Sequence, residues 1–227
     1  MKNIVVLSGA GVSAESGIKT FRDADGLWEG HNVMEVASTI GWEQNKKVVL
    51  DFYNKRRKQL FTVLPNEAHK ALAKLQNNYN VTIITQNVDD LHERAGSKHV
   101  LHLHGELLKV RSTKNPNLIY KWEKDLNMGD FCEENSQLRP HIVWFGETVP
   151  LFENAIKLTS KADILIIVGT SMQVYPAANL INYTKNNIPI YFIDPKPNIQ
   201  KNYFSNLTVI AKKASVGVTK VVSLLIA

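Results

Sequence analysis

The sequence Gly-Ala-Gly-Val-Ser-Ala-Glu-Ser-Gly-Ile-Lys-Thr-Phe-Arg occupies residues 9–22 and follows directly on an apolar run at 4–7. An apolar run that leads into glycines predicts a buried strand, a tight turn and then a helix. In such a turn, backbone N–H groups can approach a pyrophosphate, and the helix N-terminus adds favourable potential. The glycines are Gly9, Gly11 and Gly17, which is not the usual G-x-G-x-x-G spacing. This stretch alone therefore also fits an ordinary strand-to-helix turn.

Similar short apolar runs recur along the chain, with polar or helical stretches between them. Nearly continuous apolar runs of this length are typical of strands that are buried on both faces of a parallel sheet. The intervening stretches at 51–61, 66–76, 152–160 and 176–185 are predicted to be helices. The sequence thus predicts an α/β fold with a doubly wound parallel sheet. The further predicted strands lie at 81–84, 100–103, 164–168, 190–193 and, more weakly, 208–211.

Two stretches do not fit this alternation. Residues 22–64 are rich in Trp, Asn and charge, and residues 109–140 have little apolar periodicity. We interpret both as insertions that together build a smaller lobe. The larger lobe then comprises 1–21, 65–108 and 141–227, within a single domain spanning 1–227.

The composition is that of an ordinary soluble globular protein, and it does not favour a nucleic-acid-binding or membrane protein. The 227 residues carry a net charge of +6, but the basic residues are dispersed, and the densest run, at 55–58, fits either a solvated helix face or attraction of an acidic ligand. No apolar stretch is long enough to span a membrane, and the start does not resemble a signal peptide. Cys132 is the single cysteine, which excludes an intrachain disulfide and a multi-thiolate zinc site. We expect a cytoplasmic protein.

Polar side chains follow several predicted strands at the edge where such sheets bind ligands. The stretch Gln86-Asn87-Val88-Asp89 follows the run at 81–84. Its Gln, Asn and Asp side chains suit a ribose or a carboxamide, although Asn and Asp also cap helices and form Asx turns. Two further strand ends have the same character, and each also fits a plain turn. They are Gly169-Thr170-Ser171 and Asp194, which precedes Pro195.

Two histidines, His102 and His104, stand at the end of the run at 100–103. A histidine has a pKa near neutrality and can act as a general base, but a lone histidine is more often structural. Side chains alternate along a strand, so at most one of the two faces the cleft unless the strand has already ended.

Together these segments resemble the sirtuins, the NAD-dependent protein lysine deacylases. The matching stretches run in the same order and span nearly the whole chain. The resemblance implies a Rossmann-like large lobe with a small lobe built from two insertions. The matches are residues 9–18 with Phe21 and Arg22, Gln86-Asn87-Val88-Asp89, His104-Gly105, Val143-Trp144-Phe145-Gly146-Glu147 and Gly169-Thr170-Ser171.

The resemblance also implies roles for individual residues. His104 would be the general base, and Asn87 and Asp89 would position the nicotinamide ribose and a water. An acylated lysine peptide would pair as an added strand beside Val143, Phe145 and Gly146. The products would be free lysine, nicotinamide and O-acyl-ADP-ribose. NAD+ would contact Gly9, Ala10, Gly11, Ser13, Gly17, Phe21, Arg22, Trp28, Gln86, Asn87, Val88, Asp89, Gly169, Thr170, Ser171, Asp194 and Ala214.

Tyr53 and Arg56 lie three residues apart on a predicted helix, which places them on one face. A guanidinium can bind a carboxylate through two hydrogen bonds, and a phenol adds a third. The pair resembles the sirtuin subclass that removes succinyl and malonyl groups, which favours an acidic acyl group. The alternative is that Arg56 is one of several solvated charges on a basic helix.

The chain departs from most sirtuins in the small lobe, where two Cys-x-x-Cys pairs usually hold a structural zinc. The stretch 109–140 contains only Cys132, so we predict that no zinc is bound. Another means of stabilisation is then needed. We expect packing around Trp122, Leu126 and Phe131.

Two other functions use the same scaffold. One is mono-ADP-ribosyl transfer, and the other is binding of NAD or ADP-ribose without catalysis. The Tyr53–Arg56 pair argues against the first, and the presence of His104, Asn87 and Asp89 argues against the second. The expected partners are proteins or peptides with acylated lysines. The sequence does not separate succinyl, malonyl, glutaryl and acetyl preference, and a monomer is the default expectation.

Overall fold

The main sheet consists of six parallel strands in a computed structural model, which describes residues 1–20, 27–28, 30–199 and 204–227. The chain reverses its direction of winding at the first strand, which lies inside the sheet. The predicted doubly wound α/β fold is confirmed. The spatial order is β11 (Leu207–Ile210), β10 (Ile190–Ile193), β9 (Ile164–Val168), β1 (Asn3–Ser8), β4 (Asn80–Thr85) and β5 (Val100–His102).

Apolar clusters cover both faces of this sheet. Successive side chains of β1 point to opposite faces, so Ile4 and Val6 belong to one cluster and Val5 and Leu7 to the other. Helices α4 (Glu67–Lys74) and α7 (Ala214–Ile226) contribute to the first cluster. Helix α6 (Phe152–Thr159) and a 3-10 helix at Ala177–Tyr183 contribute to the second.

Between the first turn and α4, the described part of the chain forms short elements and one long helix. Each of the three helices begins at a capping side chain, namely Asn32, Ser38 or Asn45, which accepts a backbone N–H. The cap at Asn45 starts the long helix earlier than the predicted residue 51. The elements are β2 (Leu27–Trp28), β3 (His31–Asn32), α1 (Val33–Val36), α2 (Thr39–Gln44) and α3 (Lys46–Leu60).

The second predicted insertion contributes to an antiparallel sheet of three strands. Strand β6 (Gly105–Ser112) lies between β7 (Ile119–Lys121) and β8 (Leu138–Ile142), and helix α5 (Leu91–Arg94) precedes it along the chain. A third apolar cluster combines side chains from both predicted insertions, including Trp42, Phe52, Leu126 and Leu138. This cluster agrees with the two-insertion interpretation, while the limits of the lobes stay a prediction.

Three small polar side chains meet inside the small lobe. The Ser112 and Ser136 hydroxyl oxygens lie 2.5 Å apart, and the Cys132 sulfur lies 3.2 Å from Ser136 Oγ. Among the described residues no three His, Cys, Asp or Glu side chains are grouped as metal ligands would be. The absence of zinc stays a prediction.

The expected apolar packing of this lobe is correct only in part. Leu126 is fully buried and Trp122 is half-buried against the same cluster. Phe131 is 58% exposed, so its predicted place in the core is wrong. It lies at an isolated bridge to Gln137, and its side chain is directed to solvent.

Three helix predictions need correction. The glycine-rich turn leads into two one-turn 3-10 segments, Ala10–Val12 and Ala14–Ser16, and Gly17 ends the second in a left-handed conformation. The stretch predicted as a helix at 176–185 is a 3-10 helix. The C-terminal apolar stretch lies in α7, which the sequence analysis missed. In the described ranges, no helix combines the length and hydrophobicity needed to cross a bilayer.

Candidate active site

The loops after β1 and β9 touch at the carboxyl edge of the main sheet. The N–H groups of Gly9 and Gly11 donate to the carbonyls of Val168 and Gly169, at 3.0 and 2.8 Å. A Cβ on Gly11 would lie 2.7 Å from the Cα of Gly169, so only glycine fits this approach. The amides of Gly9 and Gly11 are therefore engaged by the loop after β9, and those of Val12 and Ser13 by the turn itself, so a pyrophosphate here would have to use others.

The loop after β4 lies beside this contact. Gln86 donates its backbone N–H to the Ser8 carbonyl and its side-chain amide to Thr170 Oγ1, at 2.9 and 3.1 Å. The Val88 carbonyl accepts the N–H of Leu107 at 2.8 Å. Three predicted cofactor loops thus converge at one edge of the sheet.

Ser13, Asn87 and Asp89 form a buried hydrogen-bonded cluster below this edge. Ser13 Oγ donates to Asp89 Oδ2 at 3.0 Å and accepts from Asn87 Nδ2 at 3.2 Å. Burial raises the pKa of Asp89, against the lowering effect of hydrogen bonds from the Leu91 N–H and Ser13. The structure brings together the predicted amide and carboxyl groups and adds His69, whose Nε2 lies 3.5 Å from Ser13 Oγ.

The His104 ring is held in one tautomer by the loop after β4. Its Nδ1 lies 3.1 Å from the Gln86 carbonyl, and a carbonyl can only accept, so Nδ1 carries the proton. Burial lowers the pKa of His104, although the bond to Gln86 opposes this shift. The neutral ring therefore leaves a lone pair on Nε2, as the predicted base requires.

Gly105 explains why His104 can take this position. Its φ is +83°, and a Cβ there would lie 2.0 Å from the His141 carbonyl oxygen. The His104 carbonyl accepts the N–H of Val143 at 2.9 Å. A side chain at residue 105 would push the backbone at 104–105 away from the backbone at 141–143.

His102 is buried behind Asn87 and serves a different purpose. Strand β5 ends at His102, so the alternation rule no longer relates it to His104. Its Nδ1 lies 2.9 Å from the Asn87 carbonyl and its Nε2 lies 2.7 Å from Glu93. Burial lowers the pKa of His102, but the bond to Glu93 and its charge outweigh this effect and raise it. A charged His102 thus fixes the backbone of the loop.

Arg56 and Tyr53 are both buried on α3. Arg56 is only 8% exposed and its guanidinium lies 4.1 Å from the ring centre of Trp28, so it is not a solvated charge. Arg57 is also buried and donates to the Leu107 carbonyl, so the solvated-face interpretation of 55–58 is wrong for both arginines. The positive charge of Arg56 opposes the burial-driven rise in the pKa values of Tyr53 and Asp89, which places the Arg56 guanidinium near both groups.

The Tyr53 hydroxyl is fully buried and neutral. Burial raises its pKa to about 12 despite the hydrogen bond from Trp144 and the charge of Arg56. Arg56 also lines a cavity of about 210 Å³ with Phe52, Lys55 and two neighbouring side chains. A cationic donor and a neutral hydroxyl donor thus lie on adjacent turns of one helix.

The predicted peptide-binding segment is partly hydrogen-bonded already. The Phe145 N–H donates to the Ala37 carbonyl at 2.9 Å, as Val143 does to His104. Phe145 is 45% exposed, and Gly146 has a φ of +92°. An added peptide strand would have to use the other backbone groups of this segment, and its pairing stays a prediction.

The remaining predicted cofactor residues are spread around the same edge. Asp194 is buried at the end of β10 and accepts the Lys196 N–H at 2.9 Å. Ala214 is the buried first residue of α7, and Ser171 is half-buried after Thr170. Phe21 and Arg22 lie outside the described residues.

Sequence reasoning missed several side chains that support this site. Trp144 is buried and donates its indole N–H to Tyr53. Glu147 binds both Arg139 and Arg111 and accepts the Trp144 backbone N–H. Trp144 and Glu147 belong to the stretch 143–147 that carries the sirtuin resemblance, so the sequence did indicate this segment. It did not indicate their contacts, because partners such as Tyr53 lie far away in sequence.

The fold and the converging loops define an α/β enzyme of the Rossmann-like type, with a histidine at the carboxyl edge of its sheet. The model of the Sir2 family matches residues 9–176. The chain therefore belongs to the Sir2 family, which confirms the predicted sirtuin family and enzyme class.

Relatives and solved structures agree with this assignment. The chain is 69% identical over 196 residues to the NAD-dependent protein deacylase of Helicobacter pylori strain ATCC 700392 / 26695, covering 86% of each chain. It is 52% identical to the protein of the same name from Bacteroides thetaiotaomicron, covering 100% of this chain and 99% of the relative. A crystal structure of a Sir2 homolog–NAD complex superposes with a TM-score of 0.88 at 38% identity, covering 99% of this chain and 89% of the other.

Proposed function

We propose that the protein is an NAD-dependent protein lysine deacylase that prefers acidic acyl groups such as succinyl and malonyl. The products are free lysine, nicotinamide and O-acyl-ADP-ribose. The observation that carries the acyl preference is the buried guanidinium of Arg56 on the same helix as the neutral, buried hydroxyl of Tyr53.

The residues present suit the nicotinamide dinucleotide. Gly11 and Gly169 let the loops after β1 and β9 approach each other closely, which keeps the backbone of this edge accessible to a pyrophosphate. Asn87 and Asp89 offer amide and carboxyl groups in a buried setting, and Asp194 offers a carboxylate at a neighbouring strand end. NAD+, when bound, supplies the electrophilic ribose carbon that carries nicotinamide.

His104 supplies the base for this chemistry. With Nδ1 bonded to the Gln86 carbonyl, Nε2 is the atom that accepts a proton from a ribose hydroxyl. His102 and Ser13 hold Asn87 and Asp89 in place from behind. The chain thus provides a positioned base and a buried polar pocket.

The carboxylate of an acidic acyl group can pair with the buried guanidinium of Arg56. A guanidinium binds a carboxylate through two hydrogen bonds, and such charge-assisted bonds are about twice as strong as neutral ones. A neutral acetyl group has no carboxylate to place there. We therefore expect binding energy from Arg56 and Tyr53 only for the acidic substrates.

The test compares one peptide that carries succinyl-lysine or acetyl-lysine, with deacylation followed by mass. We expect a larger kcat/KM for succinyl in the unmodified protein. Arg56→Met should lower kcat/KM for succinyl by about 10- to 100-fold, because a charge-assisted interaction is lost. It should change the acetyl value by less than about threefold.

The matched control is Lys58→Met, which removes an exposed positive charge from the same helix. It should leave both values unchanged. Equal losses for the two acyl groups in Arg56→Met would contradict the acyl preference. Nicotinamide release that needs an acceptor protein instead of an acyl peptide would indicate ADP-ribosyl transfer. The cytoplasmic location, the monomeric state and the zinc-free small lobe stay predictions.

A further inference from the structure

The Tyr53 hydroxyl has an unusual set of neighbours. Trp144 Nε1 donates to the hydroxyl oxygen at 3.0 Å, across 91 residues of sequence. An indole N–H is a donor only, so the Tyr53 oxygen must be the acceptor in this bond. The phenolic proton therefore points away from Trp144.

The structure offers no protein acceptor for this proton among the described residues. Tyr53 is fully buried, and burial keeps the phenol neutral with a pKa of about 12. A buried hydroxyl proton normally finds an acceptor, because an unmet donor costs free energy. The phenolic proton of Tyr53 is therefore suited to donate a hydrogen bond to an acceptor atom on a bound ligand.

Trp144 is itself firmly held. Its ring lies against Trp42, with centroids 5.4 Å apart, and under the guanidinium of Arg139 at 3.4 Å. Its backbone N–H donates to Glu147 Oε2 at 2.8 Å, and Arg139 binds the same carboxylate. The indole N–H thus has a fixed direction toward Tyr53.

We propose that Trp144 is a specificity-determining positioning residue: its indole N–H holds the Tyr53 oxygen as an acceptor, so that the phenolic proton is presented to the carboxylate of an acidic acyl group. The inference rests on the proposed acyl preference and deepens it. Trp144 itself does not contact the acyl group. It selects the acidic substrate by orienting the hydroxyl that does.

The variant Trp144→Phe tests this role because it keeps an aromatic ring and removes the donor. The phenolic hydrogen is then free to rotate. We expect kcat/KM for succinyl-lysine to fall by about fivefold to 20-fold, the effect of one hydrogen bond, mainly through KM. The acetyl value should change by less than about twofold.

The matched control is Trp42→Phe. Trp42 is as deeply buried and lies against the same indole, but it has no bond to Tyr53 in the described structure. Any loss in this variant should affect both acyl groups equally. A Trp144→Phe variant that also loses both equally would overturn the proposal and leave Trp144 a packing residue.

A double-mutant cycle separates orientation from packing. In a Tyr53→Phe background there is no hydroxyl to orient, so adding Trp144→Phe should cause no further loss of succinyl preference. Additive losses in the double variant would contradict the proposed link.

A second measurement covers the case in which Trp144→Phe fails to fold. The indole N–H signals of the four tryptophans are observed by NMR in the unmodified protein and in Tyr53→Phe. One signal should lose its hydrogen-bonded shift and its protection from exchange when the hydroxyl is removed. Four unchanged signals would overturn the proposal.

The outcomes also separate this inference from the proposed function. If the unmodified protein prefers acetyl-lysine, the acyl preference itself is wrong. If it prefers succinyl-lysine but the ratio does not change in Trp144→Phe, only the role of Trp144 is wrong.

Discussion

His104 and His102 are two residues apart in sequence, but their rings differ in hydrogen bonding and in the direction of their pKa shifts. Both donate from Nδ1 to consecutive carbonyls, those of Gln86 and Asn87. The Nε2 of His102 lies against Glu93, whereas the Nε2 of His104 has no hydrogen-bond partner among the described residues and is the proposed proton acceptor. The difference in charge state follows from this one carboxylate.

The variant His104→Ala should abolish deacylation and leave NAD+ binding intact, because the base is lost and the glycine turns are unchanged. Turnover and a binding titration with NAD+ measure the two effects separately. The control is His99→Ala, which removes an exposed histidine near the same strand. Residual turnover near the original value would show that another group is the base.

The charge state of His104 also fixes the direction of its pH profile. Burial lowers its pKa below 6.5, and the active form is the neutral one, so kcat/KM should fall only below pH 6.5.

At this scale the sequence singled out His104 and the polar loop at 86–89, which the structure brings to one edge of the sheet, because both lie in short contiguous motifs; the role of His104 as the base stays a prediction. It did not predict the Trp144–Tyr53 bond, since 91 residues separate the partners and no periodicity relates them. The interpretation of the charged run at 55–58 as a solvated helix face was wrong for a similar reason. The arginines are buried by β6 and by the aromatic residues of the small lobe, which local sequence does not reveal.

Among the elements, the small lobe depends on a short-range polar contact. Strand β6 ends at Ser112, whose hydroxyl meets Ser136 just before β8, and Ser136 also meets Cys132. The bond with Ser136 is the main cause that lowers the pKa of the Cys132 thiol, to about 7. These contacts fasten the strand ends to one another.

Replacing Ser136 with alanine should destabilise the small lobe by about 1–3 kcal/mol, because buried hydrogen-bond partners are left unmet. Hydrogen exchange should quicken in β6 and β8 and stay unchanged in β1 and β9. The exposed Ser160 provides a control, and Ser160→Ala should change neither sheet. Uniform quickening in both sheets would mean that the lobe does not open on its own.

The elements of the main sheet were easier to predict than those of the small lobe. Strand β9 is buried along its full length, and its sequence is continuously apolar. Strand β6 alternates irregularly and carries three charged residues, Glu106, Lys109 and Arg111, so no clear period appears. The two 3-10 segments at Ala10–Val12 and Ala14–Ser16 depend on the contact of the glycine turn with the loop after β9, which local sequence does not reveal.

For the whole molecule, buried histidines tie stability to pH. Burial lowers the pKa of His69 to about 4, and it lowers that of His92, whose ring lies 4.9 Å away, well below its usual value. The folded pKa is below the unfolded one, so the unfolded chain binds the extra proton. This contribution is complete above pH 6.5 and is lost as the pH falls from 6.5 toward 4.

Urea unfolding should therefore show a marked loss of stability between pH 7 and pH 5. The variant His69→Gln should flatten this dependence, because the contribution from His69 is on the order of 3 kcal/mol at most. His99→Gln, at the surface, should leave it unchanged. An unaltered slope in His69→Gln would show that other groups control acid unfolding.

The position of β1 in the sheet has a consequence for how the chain is made. Strand β1 pairs with β4, where Asn3 meets Asn80, and with β9, where Ile4 meets Ile164. Synthesis proceeds at about 5–20 residues per second, so β1 is made several seconds before β4 and longer still before β9. Its apolar side chains are unpaired during this time. Until β9 has been synthesised, one edge of β1 stays unpaired in the nascent chain. We expect chaperones to bind this edge before the last third of the protein emerges from the ribosome.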